Sequence, residues 1–358
     1  MRRFVLLAVL VALLPGLVAS LSGCTEALKT GDGGPSARVA LLLPERKASR
    51  YEAGDQPYFA QKLSELCPAC EVDYRNAEQD AATQLQQAQD ALAKGAKVLV
   101  LTPVDSVAAG QIVSAAAAKG VPVISYDRLV LKTAVDYYIS FDNAKVGSLQ
   151  AAALLEALGP KAAAGEILWI NGSPTDNNAT LFKQGAHAGL DGKVRVAAES
   201  DTAEWNPDNA KAWTARTLPT LRGRTIVGVY AANDGTAGAA IAAMKAAGLP
   251  QVPVTGQDAE TAALQRILVG DQYMTVYKAI RTEAETAAAL ANDLVRGRRP
   301  SVPASVDNGA GQVPSILLDP VTVTRDTIAS TVVKDGFVTP SALCAGAYAE
   351  ACKAAGIA

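Results

Sequence analysis

Acids, amides, bases and aromatic rings recur at one kind of place in this chain, directly after short apolar runs. "GVPVIS" is followed by Tyr126, Asp127 and Arg128, and "ARVALLLP" by Glu45, Arg46 and then Arg50 and Tyr51. "GEILWING" leads to Asp176, Asn177 and Asn178, "KVRVAAES" to Trp205, and "TIVGVYAA" to Asn233 and Asp234. "QVPVTG" precedes Gln257 and Asp258, and "MTVY" precedes Lys278. Asp, Asn and Arg are planar groups that can pair with two neighbouring hydroxyls at once, each hydroxyl being donor and acceptor together. Trp and Tyr offer flat surface to the apolar C–H face of a pyranose ring. The inventory is what a carbohydrate requires of a site.

Other chemistries fit less well. Asp127 and Asp258 could form the carboxylate pair of a glycoside hydrolase, but Arg128 and Lys278 would hold both ionised, which disfavours a general acid. His187 falls within a helical stretch and is read as an ordinary surface or core residue. There is no GxxxxGK[ST] motif, and "GDGGPS" follows no strand. No metal site and no cofactor are expected. Bland readings compete at single positions: Asp176 and Asn233-Asp234 suit helix caps, and Trp205 beside Pro207 could cover an edge. Recurrence of the pattern after strands in both halves of the chain favours a ligand site.

The elements that must position these residues follow from periodicity. Apolar runs such as "ARVALLLP", "AKVLVLTP" and "GVPVIS" suit strands buried on both faces. Between them lie amphipathic stretches, such as "DAATQLQQAQDALAKG", which ends at Gly95. Past "FDNAKVG" the alternation resumes, with helices expected over 147–159, 178–189 and 207–221 and strands at "KVRVAAES", "TIVGVYAAND" and "QVPVTGQDA". This repetition predicts an α/β protein of two doubly wound parallel-sheet domains. Ligands of open α/β sheets bind at the carboxyl ends of strands, where the polar residues fall.

The chain has 358 residues, 49% hydrophobic and 19% charged, with net charge −2, enough for two domains and without a charge case for nucleic acid. Arg2 and Arg3 precede an apolar stretch, Phe4–Ser20, and then "LSGC". This resembles a bacterial lipobox, with Cys24 as the lipid-bearing first residue of the mature protein. Residues 1–23 are expected as a signal peptide and 24–36 as a tether. Four other cysteines suggest an oxidising compartment. Cys67 and Cys70, and Cys344 and Cys352, are each close enough for local pairing, and both pairs are expected as disulfides. A redox CxxC or a four-cysteine zinc site are the alternatives.

The stretches "YDR", "YYISFDNAKVGSLQA", "GSPTDNNA", "ANDGTAGAAI", "TGQDAE", "MTVYKAI" and "VPSILLDPVTV" give the chain a specific resemblance, over about 38–338, to the sugar-binding proteins of ABC importers, D-xylose-binding group. The resemblance implies the type I periplasmic binding protein fold, with a three-segment hinge. It implies Arg50, Tyr51, Asp127, Arg128, Asn178, Trp205, Asn233, Asp258 and Lys278 as sugar contacts, with Tyr51 where relatives often carry Trp. It implies a first domain of 37–141 plus 278–306 and a second of 142–277 plus 307–358, with passages near Phe141–Asn143, Val276–Lys278 and Val306–Gly309. The function so implied is an exported, lipid-anchored, monomeric receptor that captures a monosaccharide, D-xylose or also glucose, for a membrane permease. A sensor presenting sugar to a chemoreceptor or kinase is the runner-up. The cysteine-bearing tail lies outside the resemblance.

Overall fold

The computed structural model describes residues 37–357. The expected signal peptide, Cys24 and the tether lie outside these residues. In the first part of the chain the apolar runs form strands β1 (Arg38–Leu43), β2 (Glu71–Asn76), β3 (Ala96–Leu101), β4 (Val123–Tyr126) and β5 (Tyr137–Phe141). Helices α1 (Gln56–Leu66), α2 (Ala81–Ala93) and α3 (Gly110–Ala117) alternate with them. Then come α4 (Asn143–Leu158), the single turn α5 (Lys161–Ala164), β6 (Glu166–Asn171), α6 (Asn177–Leu190), β7 (Arg195–Asp201), α7 (Pro207–Thr217), β8 (Ile226–Ala231), α8 (Asp234–Ala246), α9 (Thr261–Leu268) and β9 (Met274–Tyr277). The chain continues through α10 (Ile280–Val295), β10 (Ala304–Asp307), β11 (Gln312–Leu318) and β12 (Val321–Thr324), and its tail carries α11 (Pro340–Leu343) and α12 (Ala349–Ala354).

The first sheet has seven strands in the order β10-β11-β5-β4-β3-β1-β2. Only the β10–β11 pair is antiparallel. Alternation along β1 shows why the run is apolar throughout. Val39, Leu41 and Leu43 pack with Phe59, Leu63 and the α10 alanines on one face, and Ala40 and Leu42 pack with Ala88, Ile112 and Val113 on the other. A strand covered by helices on both faces has no polar side. In the second lobe β6 does the same: Ile167 and Trp169 face α4 and α6, and Leu168 and Ile170 face α7 and α8.

The second sheet is built of β7-β6-β8, all parallel, and a β9–β12 antiparallel pair. The segment "QVPVTGQDA", expected as a strand, is reduced to one bridge, Val229 to Val254. Pro250 and Pro253 have no N–H to give to a ladder. The segment still joins the two parts of the sheet, since Tyr273 N donates to Val254 O at 3.0 Å and Val276 N to Gly256 O at 3.1 Å.

Between the lobes the chain passes from β5 to α4 at Asp142, which caps α4 by accepting from Lys145 N. It returns between β9 and α10. The third passage differs from the expected one at 306–309. β11 pairs in parallel with β5, Ser315 to Tyr138 through Leu318 to Phe141, so residues 312–318 belong to the first sheet. The passage lies between Leu318 and Val321. The turn at Asn308–Gly311 is instead a hairpin loop, with Gly309 at φ 83°.

The close approach of α4 and α6 explains "NAKVGSLQA". A Cβ on Gly147 would stand 2.0 Å from Phe182 O, and one on Gly185 would stand 2.0 Å from Ala144 O. Both cysteine pairs are disulfides, Cys67–Cys70 and Cys344–Cys352. The tail packs Val338, Leu343, Cys352 and Ile357 against Leu264, Ile267 and Tyr277. No helix among the described residues is long and apolar enough to cross a membrane.

Candidate functional site

The nine residues expected as sugar contacts line one cavity between the lobes: Arg50, Tyr51, Asp127, Arg128, Asn178, Trp205, Asn233, Asp258 and Lys278. Glu45, Ala48, Asp176, Phe182 and Gln257 complete its wall. Its empty space is ≈ 350 Å³, counting what opens to solvent. The fold accounts for the convergence. Each side chain leaves a strand at its carboxyl end or sits in the first residues of the segment that follows.

Successive residues of an extended segment point to opposite faces, yet Asp127 and Arg128 both reach the cavity, as do Gln257 and Asp258. The backbone breaks alternation at these points: φ is 58° at Asp127 and 102° at Asp258. Trp205 has φ 55° and Glu204 φ 58°. Non-glycine residues held in this region cost about 1–3 kcal/mol each and cluster at ligand clamps.

In the first lobe a network of buried side chains is centred on Arg50. Arg50 begins the wide helical turn Tyr51–Asp55. Its Nη1 donates to Asp127 Oδ1 at 3.0 Å, its Nε and Nη2 to the two oxygens of Asp55 at 2.9 and 2.8 Å, and its Nη2 also to Glu283 Oε2 at 2.8 Å. Tyr51 Oη donates to Asp127 Oδ2 at 3.0 Å, and Tyr126 Oη donates to Asp55. Burial pushes the Asp127 carboxyl up, but Arg50, Lys278 and Arg128 outweigh it and hold the group well below the usual carboxylate range. Glu283 is the reverse case: burial dominates the pull of Arg50 and pushes it up to about 8. Tyr51 thus orients Asp127 through its hydroxyl, and the Arg50 guanidinium lies 5.2 Å from its ring centre.

Asp176 joins the lobes. It caps α6 by accepting from Asn178 N at 2.8 Å, and its other oxygen meets Arg128 Nε at 2.8 Å and Trp205 Nε1 at 2.9 Å. Asp176 thus caps a helix and also lines the cavity. The same holds for Asn233, whose Oδ1 accepts from Thr236 N at 3.0 Å in a capping box while the residue lines the cavity. Asn178 Nδ2 reaches Asp127 O at 3.0 Å. Lys278 Nζ stands 3.5 Å from Asp127 Oδ1 and near the rings of Phe141 and Phe182. The Trp205 ring covers Gly172, where a Cβ would stand 2.0 Å from it.

In the loop after β1, Glu45 lines the cavity. Arg46 pairs with Glu52 and Glu78, and Lys47 pairs with Glu204 at 3.1 Å across the cleft. His187 stacks on Trp169 at 4.1 Å and takes no part in the cavity. No cluster among the described residues could hold a metal ion. Asp55 and Glu283, which anchor Arg50, were not visible in the sequence. They stand 5 and 233 positions from it, in helical stretches without a strand-end signal.

Two sheets with a polar cavity between them, and backbone passing between them more than once, form the frame of a two-lobed receptor. Residues 39–299 match the model of the periplasmic binding protein domain. The chain belongs to the periplasmic binding protein family. The binding protein is similar, at 36% identity over 322 residues, to the D-xylose-binding periplasmic protein of Escherichia coli, covering 88% of this chain and 95% of the relative. It is similar to an ABC transporter solute-binding protein from Clostridium phytofermentans with bound β-D-glucose, at TM-score 0.79 and 30% identity, covering 86% and 99% of the two chains. It is similar also to a carbohydrate transporter solute-binding protein from Chloroflexus aurantiacus in complex with D-glucose, at TM-score 0.75 and 31% identity, covering 85% and 97%. These relatives are solute-binding proteins and not enzymes, which removes the hydrolase alternative for Asp127 and Asp258.

Proposed function

We propose that the protein is the substrate-binding component of an ABC sugar importer. It captures a monosaccharide, D-xylose first and glucose as a weaker or comparable ligand, between its lobes and delivers it to the membrane permease. The observation that carries this reading is the joint cavity. Arg50, Asp127 and Arg128 come from the first lobe, Trp205, Asn233 and Asp258 from the second, and Lys278 from the passage between them, and all of them line one space. A sugar held by both lobes favours the closed arrangement by contacts that neither lobe makes alone. The similar Escherichia coli protein supports the pentose, and the two glucose-bound structures support the wider range.

In this reading the Trp205 ring stacks on the sugar and Asp127, Arg128, Asn178, Asn233, Asp258 and Lys278 bond its hydroxyls. The mature chain begins at a lipidated Cys24 and works outside the cell membrane. A thermal-shift panel of pentoses and hexoses tests the ligand: D-xylose is expected to raise the melting temperature most, and a larger shift with ribose, arabinose or galactose overturns the assignment. Mass spectrometry of membrane-extracted protein tests the anchor, with a diacylated Cys24 N-terminus as the expected result.

A further inference from the structure

We propose that Gln257 reads a ligand hydroxyl, so that Gln257 and Asp258 act together as the second lobe's specificity element. This rests on the reading of the cavity as a sugar site. The cavity-lining side chains of the two lobes differ in how they are met. Arg50, Tyr51 and Asp127 bond one another, and Arg128 is held by Asp176 and by Pro103 O. On the second lobe, Gln257 Oε1 is fully buried and has no hydrogen-bond partner among the described residues. Gln257 is 3% exposed and lines the cavity. Buried polar atoms are nearly always paired, so an orphan that lines a ligand cavity asks for the ligand.

The backbone is already committed on both sides of this side chain. Gln257 O accepts from Asp234 N at 2.9 Å, and Asp258 N donates to Val276 O at 2.9 Å. Neither backbone group is free to turn and meet the amide. The turn at Asp258, φ 102°, sends two consecutive side chains to one cavity. Gln257 then supplies an amide oxygen, which accepts, and an amide nitrogen, which donates, beside a carboxylate, which only accepts. A hydroxyl can satisfy the amide oxygen by donation; a ring position without a hydroxyl leaves it unmet. A site built this way discriminates by the cost of the unpaired group.

The test is calorimetric titration of wild type, Gln257→Leu and Asp258→Asn with D-xylose and with its 2-, 3- and 4-deoxy analogues. If wild type prefers D-glucose, the glucose deoxy series is used. Gln257→Leu is expected to weaken the parent sugar about ten-fold, the size of one hydrogen bond. One deoxy analogue should bind wild type and Gln257→Leu alike, because it lacks the hydroxyl that Gln257 meets. The melting temperature of the sugar-free variant should not fall. Equal affinity of Gln257→Leu and wild type for the parent sugar overturns the proposal, as does the same fold-loss for the parent and every analogue. If Asp258→Asn loses affinity in that same set, the sugar site stands and only the role of Gln257 falls. If wild type binds no sugar, both fall. Should Gln257→Leu not fold, Gln257→Met carries the same comparison.

Discussion

Lys278 Nζ stands 3.5 Å from Asp127 Oδ1, across 151 positions of sequence. Lys278 follows β9 at the passage between the lobes, and Asp127 follows β4 of the first sheet. The same Asp127 oxygen takes the Arg50 Nη1 bond at 3.0 Å. One carboxylate therefore ties the first-lobe floor of the cavity to its hinge, and does so while ionised.

Asp127 and Asp258 should separate when each is changed to asparagine. Either change weakens sugar binding by roughly 1.5–3 kcal/mol, the range for hydrogen bonds to charged groups. Asp127→Asn also removes the counter-charge of a buried Arg50, and breaking a buried pair costs about 3–5 kcal/mol, so the sugar-free variant should melt well below wild type. Asp258 has no side-chain partner among the described residues, and burial raises its carboxyl above the usual range ahead of the opposing Lys278 and Arg50. Asp258→Asn should leave the sugar-free melting temperature unchanged or higher. Thermal melts beside titrations check both; a sharp destabilisation by Asp258→Asn would make it a structural residue.

Gly172→Ala should impair binding without touching the ligand. The added methyl meets the Trp205 ring at 2.0 Å and must displace it from the cavity wall. Overpacking of this kind costs about 1–3 kcal/mol. Titration should show weaker sugar binding and near-ultraviolet dichroism a changed tryptophan signal. Wild-type affinity in this variant would mean that Trp205 does not face the sugar.

Stability should depend on pH through buried acids. Burial pushes Asp234 up to about 7, against Arg266 and with Asp258 adding to the rise. Glu260 rises to about 8 by burial, then by the charges of Asp234 and Asp258, and Glu283 rises to about 8 by burial against Arg50. These groups hold more protons folded than unfolded, where carboxyls titrate near about 4. Their stabilising contribution is full at acid pH and is lost as pH rises through the folded values. Melting temperature of the sugar-free protein should fall between about pH 5 and pH 8; a rise across that window would contradict the assignment.

The strand-end residues were legible because α/β alternation dictates where they go: a buried strand needs apolar residues to its last turn, and whatever polar group follows stands at the carboxyl edge. Asp127 and Arg128 are the clearest instance. Glu283 was not legible, because its partner Arg50 is 233 positions away and no periodicity links them. Gln257 is not among the contacts the sequence implies, since only the positive φ at Asp258 turns both side chains toward one cavity. The third passage was misplaced for a related reason. β10 and β11 form a short hairpin on the edge of the first sheet, and the glycine-rich loop between them looks, in sequence, like a passage between lobes.

A monosaccharide held between the lobes on the strand-end residues should be seen by calorimetric titration of the folded protein with D-xylose. Saturable one-to-one binding near micromolar Kd, about −8 kcal/mol, is expected, lost or strongly weakened in Asp258→Asn. No heat and no thermal shift with D-xylose, D-glucose or any pentose, from protein that melts cooperatively, would contradict it.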